Sequence, residues 1–378
     1  MPAFALVMTA LLGGVTVYFA CRTAQCVQYV FPRFPFAASL AVFVLLTAVL
    51  VLGFMRSMLP IGAGVKNVLR LASAYWMGAC VYLLLFLLAG DAVLLLGRLL
   101  RLIPKPMPQS CRFAAIAASL ACALAVTLYG FCHAADVRVK TYDVALAKLQ
   151  QDMNVVLVSD LHLGAVGSEN RLEKVVEQIN ALSPQMVCIA GDVFDNDFSA
   201  VENPDRIRML LSSLDAPYGV YACLGNHDAG STYGQMVDFL AQCQITLLAE
   251  ECTVIDDRLV LVGRADASPI GRGGVRRADL QTILQNASPE LPVVVMDHNP
   301  AHVHTYGAET QLVLSGHTHR GQILPGGLIT KRMYAVDYGC GKVGDVQVIV
   351  TSGAGTWGMP MRIGTDCEVV FIRLVKQP

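Results

Sequence analysis

Five short stretches of this 378-residue chain hold the residue types that bind metal ions: "NVVLVSDLHLG", "MVCIAGDVFD", "GVYACLGNHD", "PVVVMDHNP" and "QLVLSGHTHRG". Each is a β-branched or apolar run ending in a polar or glycine-containing turn. The chemistry lies at or just past the run, in Asp160, His162, Asp192, Asp195, Asn226, His227, Asp228, His298, His317 and His319. A single histidine at a strand end is usually a satisfied polar residue. Five of the eight histidines, spread over four such turns with four Asp and one Asn, are hard to explain by packing. Neutral imidazole together with carboxylate and amide oxygen suits Mn, Fe or Zn, whereas an all-oxygen set suits Mg or Ca.

Something must carry these turns to one place. The apolar runs have strand length, and between several of them lie stretches with helical spacing, such as Asn170 to Leu182 with Leu172, Val175, Val176 and Ile179 on one face. Ser231 to Cys243 is a weaker helix. Strands alternating with helices predict a layered α/β domain whose ligands bind at the carboxyl ends of strands. The segment "VRVKTYDVAL" from Val137 alternates as a half-buried strand does.

In order and separation, "DLH" from Asp160, "GDVFD" from Gly191, "GNHD" from Gly225, "HNP" from His298 and "GHTH" from Gly316 resemble the five blocks of the calcineurin-like metallophosphoesterases. The resemblance runs from about Asn154 to the C-terminus. With the tail "SGAGTWGMPMRIG" and the membrane-bound format, it is closest to the bacterial branch containing the phosphodiesterases YaeI and YkuE. It implies a sandwich of two mixed β-sheets flanked by helices and a centre for two divalent ions. Asp160, His162, Asp192 and His319 would hold the first ion. Asp192, Asn226, His298 and His317 would hold the second, so that Asp192 bridges. Two such ions bind substrate oxygens, lower the pKa of a bridging water to give the hydroxide nucleophile, and screen charge in the transition state. His227 would protonate the leaving oxygen and Asp228 would orient it. Residues i and i+2 of a strand face one side, which accounts for Asp160-x-His162. Asp195 would fix the metal loop. Arg320 stands where the family often has glycine, either reaching a substrate phosphate or capping the loop. Trp357, Met359 and Arg362 would line the entrance, and His302 and His304 would lie outside the ligand set.

The rest of the chain is of another kind. The whole is 54% hydrophobic and 15% charged, too apolar for an ordinary soluble protein. Four apolar runs, about 3–20, 37–55, 71–90 with an extension to 96, and 113–131, each approach the roughly 20 residues that cross ~30 Å of hydrocarbon. No Lys or Arg precedes the first run and three more follow, so it reads as a membrane helix rather than a cleaved leader. Asp91 falls at the end of the third run, which predicts an interfacial position. Through Gln150 there are twelve Lys and Arg against Asp91, Asp136 and Asp143, leaving a net of −10 beyond. An acidic second part excludes a nucleic-acid groove built from Lys and Arg. Counts of basic residues in the connections do not choose a side of the membrane. The twelve cysteines contain no C-x-x-C pair and predict neither a disulfide framework nor a structural zinc site.

The expected organisation is a four-helix transmembrane region over 1–133, a connecting segment and first strand over 134–152, and a catalytic domain over 153–378. The expected protein is a multi-pass cell-membrane phosphoesterase, read as a phosphodiesterase acting on a phospholipid or lipid-linked precursor. The competing reading is a membrane metal-binding sensor or scaffold without catalysis. The intact His227 and Asp228 argue against it, because binding alone has little need for a leaving-group acid.

Overall fold

The computed structural model describes residues 2–271 and 275–377. The chain divides into two compact units, one ending at Gly130 and one running from Phe131.

The first unit is helical: α1 (Pro2–Val30), α2 (Phe36–Phe54), α3 (Ala63–Leu99) and α4 (Gln109–His133), of which the last closes at the unit boundary. All four are long and apolar enough to cross a membrane. Three of them overrun the apolar stretches that mark them, because nothing in those flanks breaks a helix. The breaks come at proline: Pro32 and Pro35 separate α1 from α2, Pro60 precedes α3, and Pro104 and Pro108 separate α3 from α4. The 37 residues of α3 span about 55 Å, well beyond a hydrocarbon layer.

Asp91 falls in the last third of α3, a helix longer than a hydrocarbon layer, which accords with the interfacial position that the hydropathy pattern suggests. It lies inside α3, where its carboxylate accepts hydrogen bonds from Tyr18 Oη (2.7 Å) and Arg22 Nη2 (2.6 Å) of α1. The arginine offsets the charge of the carboxylate. Phe19, Phe43, Leu87 and Ile116 form the apolar centre of the unit.

The second unit is a sandwich. In chain order it contains β1 (Val137–Leu146), β2 (Met153–Val158), α5 (Ser168–Ala181), β3 (Met186–Ala190), α6 (Pro204–Ser212), β4 (Val220–Cys223), α7 (Tyr233–Gln242), β5 (Thr246–Leu247), β6 (Glu251–Ile255) and β7 (Leu259–Gly263). It continues with α8 (Leu280–Leu284), β8 (Val293–Met296), β9 (Thr310–Ser315), α9 (Gly326–Met333), β10 (Gly339–Val343), β11 (Val346–Val350) and β12 (Cys367–Lys376). One six-stranded sheet has the order β1-β12-β2-β3-β4-β5 and the other β10-β11-β9-β8-β7-β6. Both are mixed: β12 runs antiparallel to β2 while β2, β3 and β4 are parallel, and β7, β8, β9 and β11 are parallel between antiparallel β6 and β10.

Strand alternation explains why the runs are apolar throughout. Met153, Val155 and Leu157 of β2 face the other sheet, while Val156 and Val158 face the helices. In β8, Val294 and Met296 enter the sandwich while Val293 and Val295 pack on its far side. A strand covered on both faces has no polar side to show. The connecting segment is held rather than slack: Arg171 Nε, Lys174 Nζ and Gln178 Nε2 of α5 donate to the carbonyls of Ala134, Ala135 and Val137. All twelve cysteines are free thiols.

The Asp91–Arg22 pair is expected to behave as one unit. Arg22→Met and Asp91→Leu should each destabilise the protein in detergent by about 1–3 kcal/mol, and the double substitution by less than their sum. Thermal unfolding of the three variants measures this coupling.

Candidate metal centre

All five motif turns leave the carboxyl ends of parallel strands: Asp160 and His162 follow β2, Asp192 follows β3, Asn226 and His227 follow β4, His298 follows β8 and His317 and His319 follow β9. Three strands belong to one sheet and two to the other, so the site forms where both sheets end on the same side. The backbone there is forced. Asp160, His162, Asp192, His317 and His319 have φ between 47° and 70°, a left-handed conformation that such residues seldom adopt. Five of seven expected ligands under this constraint mark a site built for position rather than for backbone comfort.

The donors converge closely. His162 Nε2 is 3.1 Å from His319 Nε2 and 4.0 Å from Asp160 Oδ1, and His319 Nε2 is 3.3 Å from that oxygen. In the neighbouring group His298 Nε2 is 3.1 Å from Asp192 Oδ2, and His317 Nδ1 is 3.3 Å from His298 Nε2 and 2.8 Å from Asn226 Oδ1. Asp192 Oδ2 also lies 3.8 Å from His162 Nε2, so it stands between the two groups. Ligands about 2.0–2.2 Å from a divalent ion are some 3.0–3.4 Å apart along a coordination edge, and most of these separations are of that size. The spacing of the donors therefore suits divalent ions in two neighbouring groups, with Asp192 between them.

Room for the donors comes from missing side chains. A Cβ on Gly225 would lie 2.2 Å from Asp192 Oδ1, and one on Gly316 would lie 1.9 Å from Ser159 Oγ and 2.3 Å from Asp160 Oδ2. The imidazoles are aimed by what their other nitrogens meet. His298 Nδ1 donates to Ala190 O (2.8 Å), which leaves Nε2 to face Asp192, and His317 Nε2 is 3.2 Å from Asn299 Nδ2. Burial works against the charge on Asp192, yet the surrounding His298, His162 and His227 hold its carboxyl far below the ordinary range. Burial also opposes protonation of His298, but Asp192 overcomes this and raises its pKa well above the usual value. Burial and then the cation of Arg362 push His319 well down, while burial and then His298 push His317 down, so both keep lone pairs for ligation.

His227 lies beside the exposed ring of Trp357. Its backbone N–H donates to Asp192 Oδ1 (2.8 Å), its ring is 5.0 Å from that of His162 and 6.0 Å from that of Trp357, and its Nδ1 is buried without a hydrogen bond. Burial lowers its pKa. The expected partnership with Asp228 is not found. The Asp228 carboxylate accepts instead from the backbone N–H of Val193, Phe194 and Gly225, pinning the Asp192 turn to the Asn226 turn. Burial and the nearby Asp192 still push its carboxyl up, to about 7. Asp195 is the acid that faces the ring, 3.8 Å from His227 Nδ1 and 3.4 Å from His162 Nδ1.

Arg362 is not at the entrance either, since it is wholly buried. Its guanidinium donates to the carbonyls of His319 (3.0 Å), Ser352 (2.7 Å) and Gly355 (2.6 Å) and lies 3.2 Å from His319 Nδ1. The "SGAGTWG" turn is thereby drawn under Asp160. Arg320 stacks over Tyr338, its guanidinium carbon 4.2 Å from the ring centroid. His302 and His304 lie in a short helical turn after His298, outside the ligand groups.

Sequence reasoning passed over Asp266. It is buried just past β7 with Oδ2 unpartnered, and its charge reaches His298 and His317. The signal was present, since "LVLVGRAD" is another apolar run ending in an acid. Ser159 and Asp297 were also missed, though both sit inside quoted motifs. Ser159 Oγ donates to Asp160 Oδ2 (2.7 Å), and Asp297 is buried in a pair with Arg277 beneath His298.

Comparison with known proteins reaches the same region. The family described as calcineurin-like phosphoesterase matches residues 153–321. An uncharacterized metallophosphoesterase of Aquifex aeolicus is 30% identical over 66% of this chain and 97% of its own length. One of Helicobacter pylori is 29% identical over 63% of this chain, which spans 64% of that relative. The UDP-2,3-diacylglucosamine pyrophosphatase LpxG of Chlamydia trachomatis is 25% identical over 45% of this chain and 64% of its own.

Removing the buried brace should loosen the donors without touching one. Arg362→Met is expected to weaken Mn²⁺ binding by about 10–100-fold in calorimetry, and Arg362→Lys to recover only part of it, because an ammonium cannot fork across several carbonyls. Unchanged affinity in Arg362→Met would remove Arg362 from this role.

Proposed function

The chain belongs to the calcineurin-like metallophosphoesterase family, and from that premise we propose that it is a membrane-anchored, two-metal phosphodiesterase. The observation that carries this reading is the convergence of six other nitrogen and oxygen donors on Asp192, with His227, whose Nδ1 makes no hydrogen bond, at their edge. Asp160, His162, Asp192 and His319 would hold one ion, and Asp192, Asn226, His298 and His317 the other. When bound, two ions such as Mn, Fe or Zn neutralise phosphoryl charge and supply the activated water for ester cleavage.

The remaining steps belong to the protein. The histidines around Asp192, His298 first, favour its charged form against the effect of burial. Asp228 fixes the spacing of two donor turns through three backbone N–H groups. His227, facing the open side near Trp357, gives its proton to the departing oxygen, and Asp195 stabilises the charged ring beforehand. The phosphoryl group itself, arriving beside His227, raises the proton affinity that burial lowers.

The substrate class we infer is an amphipathic phosphate ester of the bilayer. Four helices able to cross a membrane precede the catalytic unit, and the Chlamydia relative carries the name of a pyrophosphatase acting on an acylated sugar nucleotide. The same features support a multi-pass location in the cell membrane.

Purified protein with Mn²⁺ is expected to cleave bis(p-nitrophenyl) phosphate faster than p-nitrophenyl phosphate, and chelation should abolish both activities. Asp192→Asn should remove turnover, and wild-type rates in that variant would end the two-metal reading. His227→Ala should cost about 10²–10⁴ on an alkyl diester but far less on the nitrophenyl diester, since nitrophenolate departs without a proton. Equal losses on the two esters would take the proton-donor role from His227.

A further inference from the structure

The catalytic unit carries an apolar surface that packing does not explain. No residue of α9 is buried, and Leu328, Ile329 and Met333 are 60%, 60% and 66% exposed. Leu324 and Trp357 join them, at about half exposure each. These residues form one surface. Gln322 Nε2 donates to the carbonyls of Trp357 and Met359, and Leu324 N donates to Ile363 O, so the segment leading into α9 is sewn to the Trp357 turn. The surface also borders the metal centre on two sides: Trp357 lies over His227, and Tyr334, just past α9, lies with its ring centroid 6.2 Å from that of His317. Exposed Lys331 and Arg332 stand in the last turn of α9.

Contiguous apolar exposure of this kind marks a contact surface. The chain indicates the occupant. Only three residues separate the end of α4 from the start of β1, a tether of about 10 Å, so the catalytic unit is bound to stay near any bilayer that α4 crosses. Aromatic and aliphatic side chains beside basic ones on a short amphipathic helix suit a headgroup region, with the apolar atoms in the acyl boundary and the cations at lipid phosphates. We propose that Leu324, α9 and Trp357 form an interfacial docking surface that seats the mouth of the metal centre in the bilayer, so that a phosphate ester enters past Trp357 and Tyr334 without crossing water. The role in turnover rests on the phosphodiesterase reading above; the docking itself does not.

The test uses the full chain in phosphatidylcholine–phosphatidylglycerol nanodiscs. The protein has two tryptophans, so a Trp76→Phe background makes Trp357 the reporter. Lipids brominated on the acyl chains should quench Trp357, and Leu328→Glu with Ile329→Glu should abolish the quenching. The double variant should also lower cleavage of a bilayer-embedded phosphodiester by about tenfold or more. Its hydrolysis of the soluble nitrophenyl diester should match that of the parent, which checks that the site has folded. Trp357 reached by aqueous acrylamide and not by brominated lipid would overturn the proposal, as would shielding from both, which means that protein covers the surface. Equal slowing of the two substrates would also overturn it. A parent protein inert toward the soluble diester would instead refute the activity, and the quenching would still decide the docking.

Discussion

The second unit depends on one buried carboxylate. Asp192 lies between two groups of imidazoles, and water cannot reach it to share its charge. Such a group is costly unless cations or strong donors surround it. The structure gives it the N–H of His227 and the ring of His298, and arranges the other donors at separations suited to cations. Two sheets must end on the same side for this to happen, because no single loop could present seven donors within such a volume.

The supporting residues follow from that requirement. Donor turns with left-handed backbones are strained, and strain persists only where neighbours over-determine it. Asp228 ties two turns together through backbone N–H groups, Arg362 gathers the carbonyls behind His319, and Ser159 fixes Asp160. Gly225 and Gly316 leave the space that the carboxylates fill.

The helical unit and the exposed rim of the sandwich suit the same surroundings by different means. Between the helices, Arg22 offsets the charge of Asp91. On the sandwich, α9 does the reverse and leaves apolar side chains outside, with basic residues beside them. Each arrangement is costly in the wrong solvent and favourable at a bilayer.

That these donor residues gather in one place was legible in the sequence because it depends on local order. A β-branched run followed by Asp, His or Asn announces a strand end, and five of them in series announce where donors gather; the runs also imply a layered α/β domain, while its two mixed sheets were implied by the family resemblance. The helix limits were legible less in hydropathy than in Pro32, Pro35, Pro60, Pro104 and Pro108, since proline stops a helix whatever its neighbours are. Long-range pairing was not legible. Whether Asp228 meets an imidazole or three backbone amides, whether Arg362 lies at a mouth or beneath His319, and whether Asp91 has a cationic partner all depend on residues far apart in the chain. Residue type tells what a group can bond to, but only the packing of separate elements brings a particular partner within 3 Å.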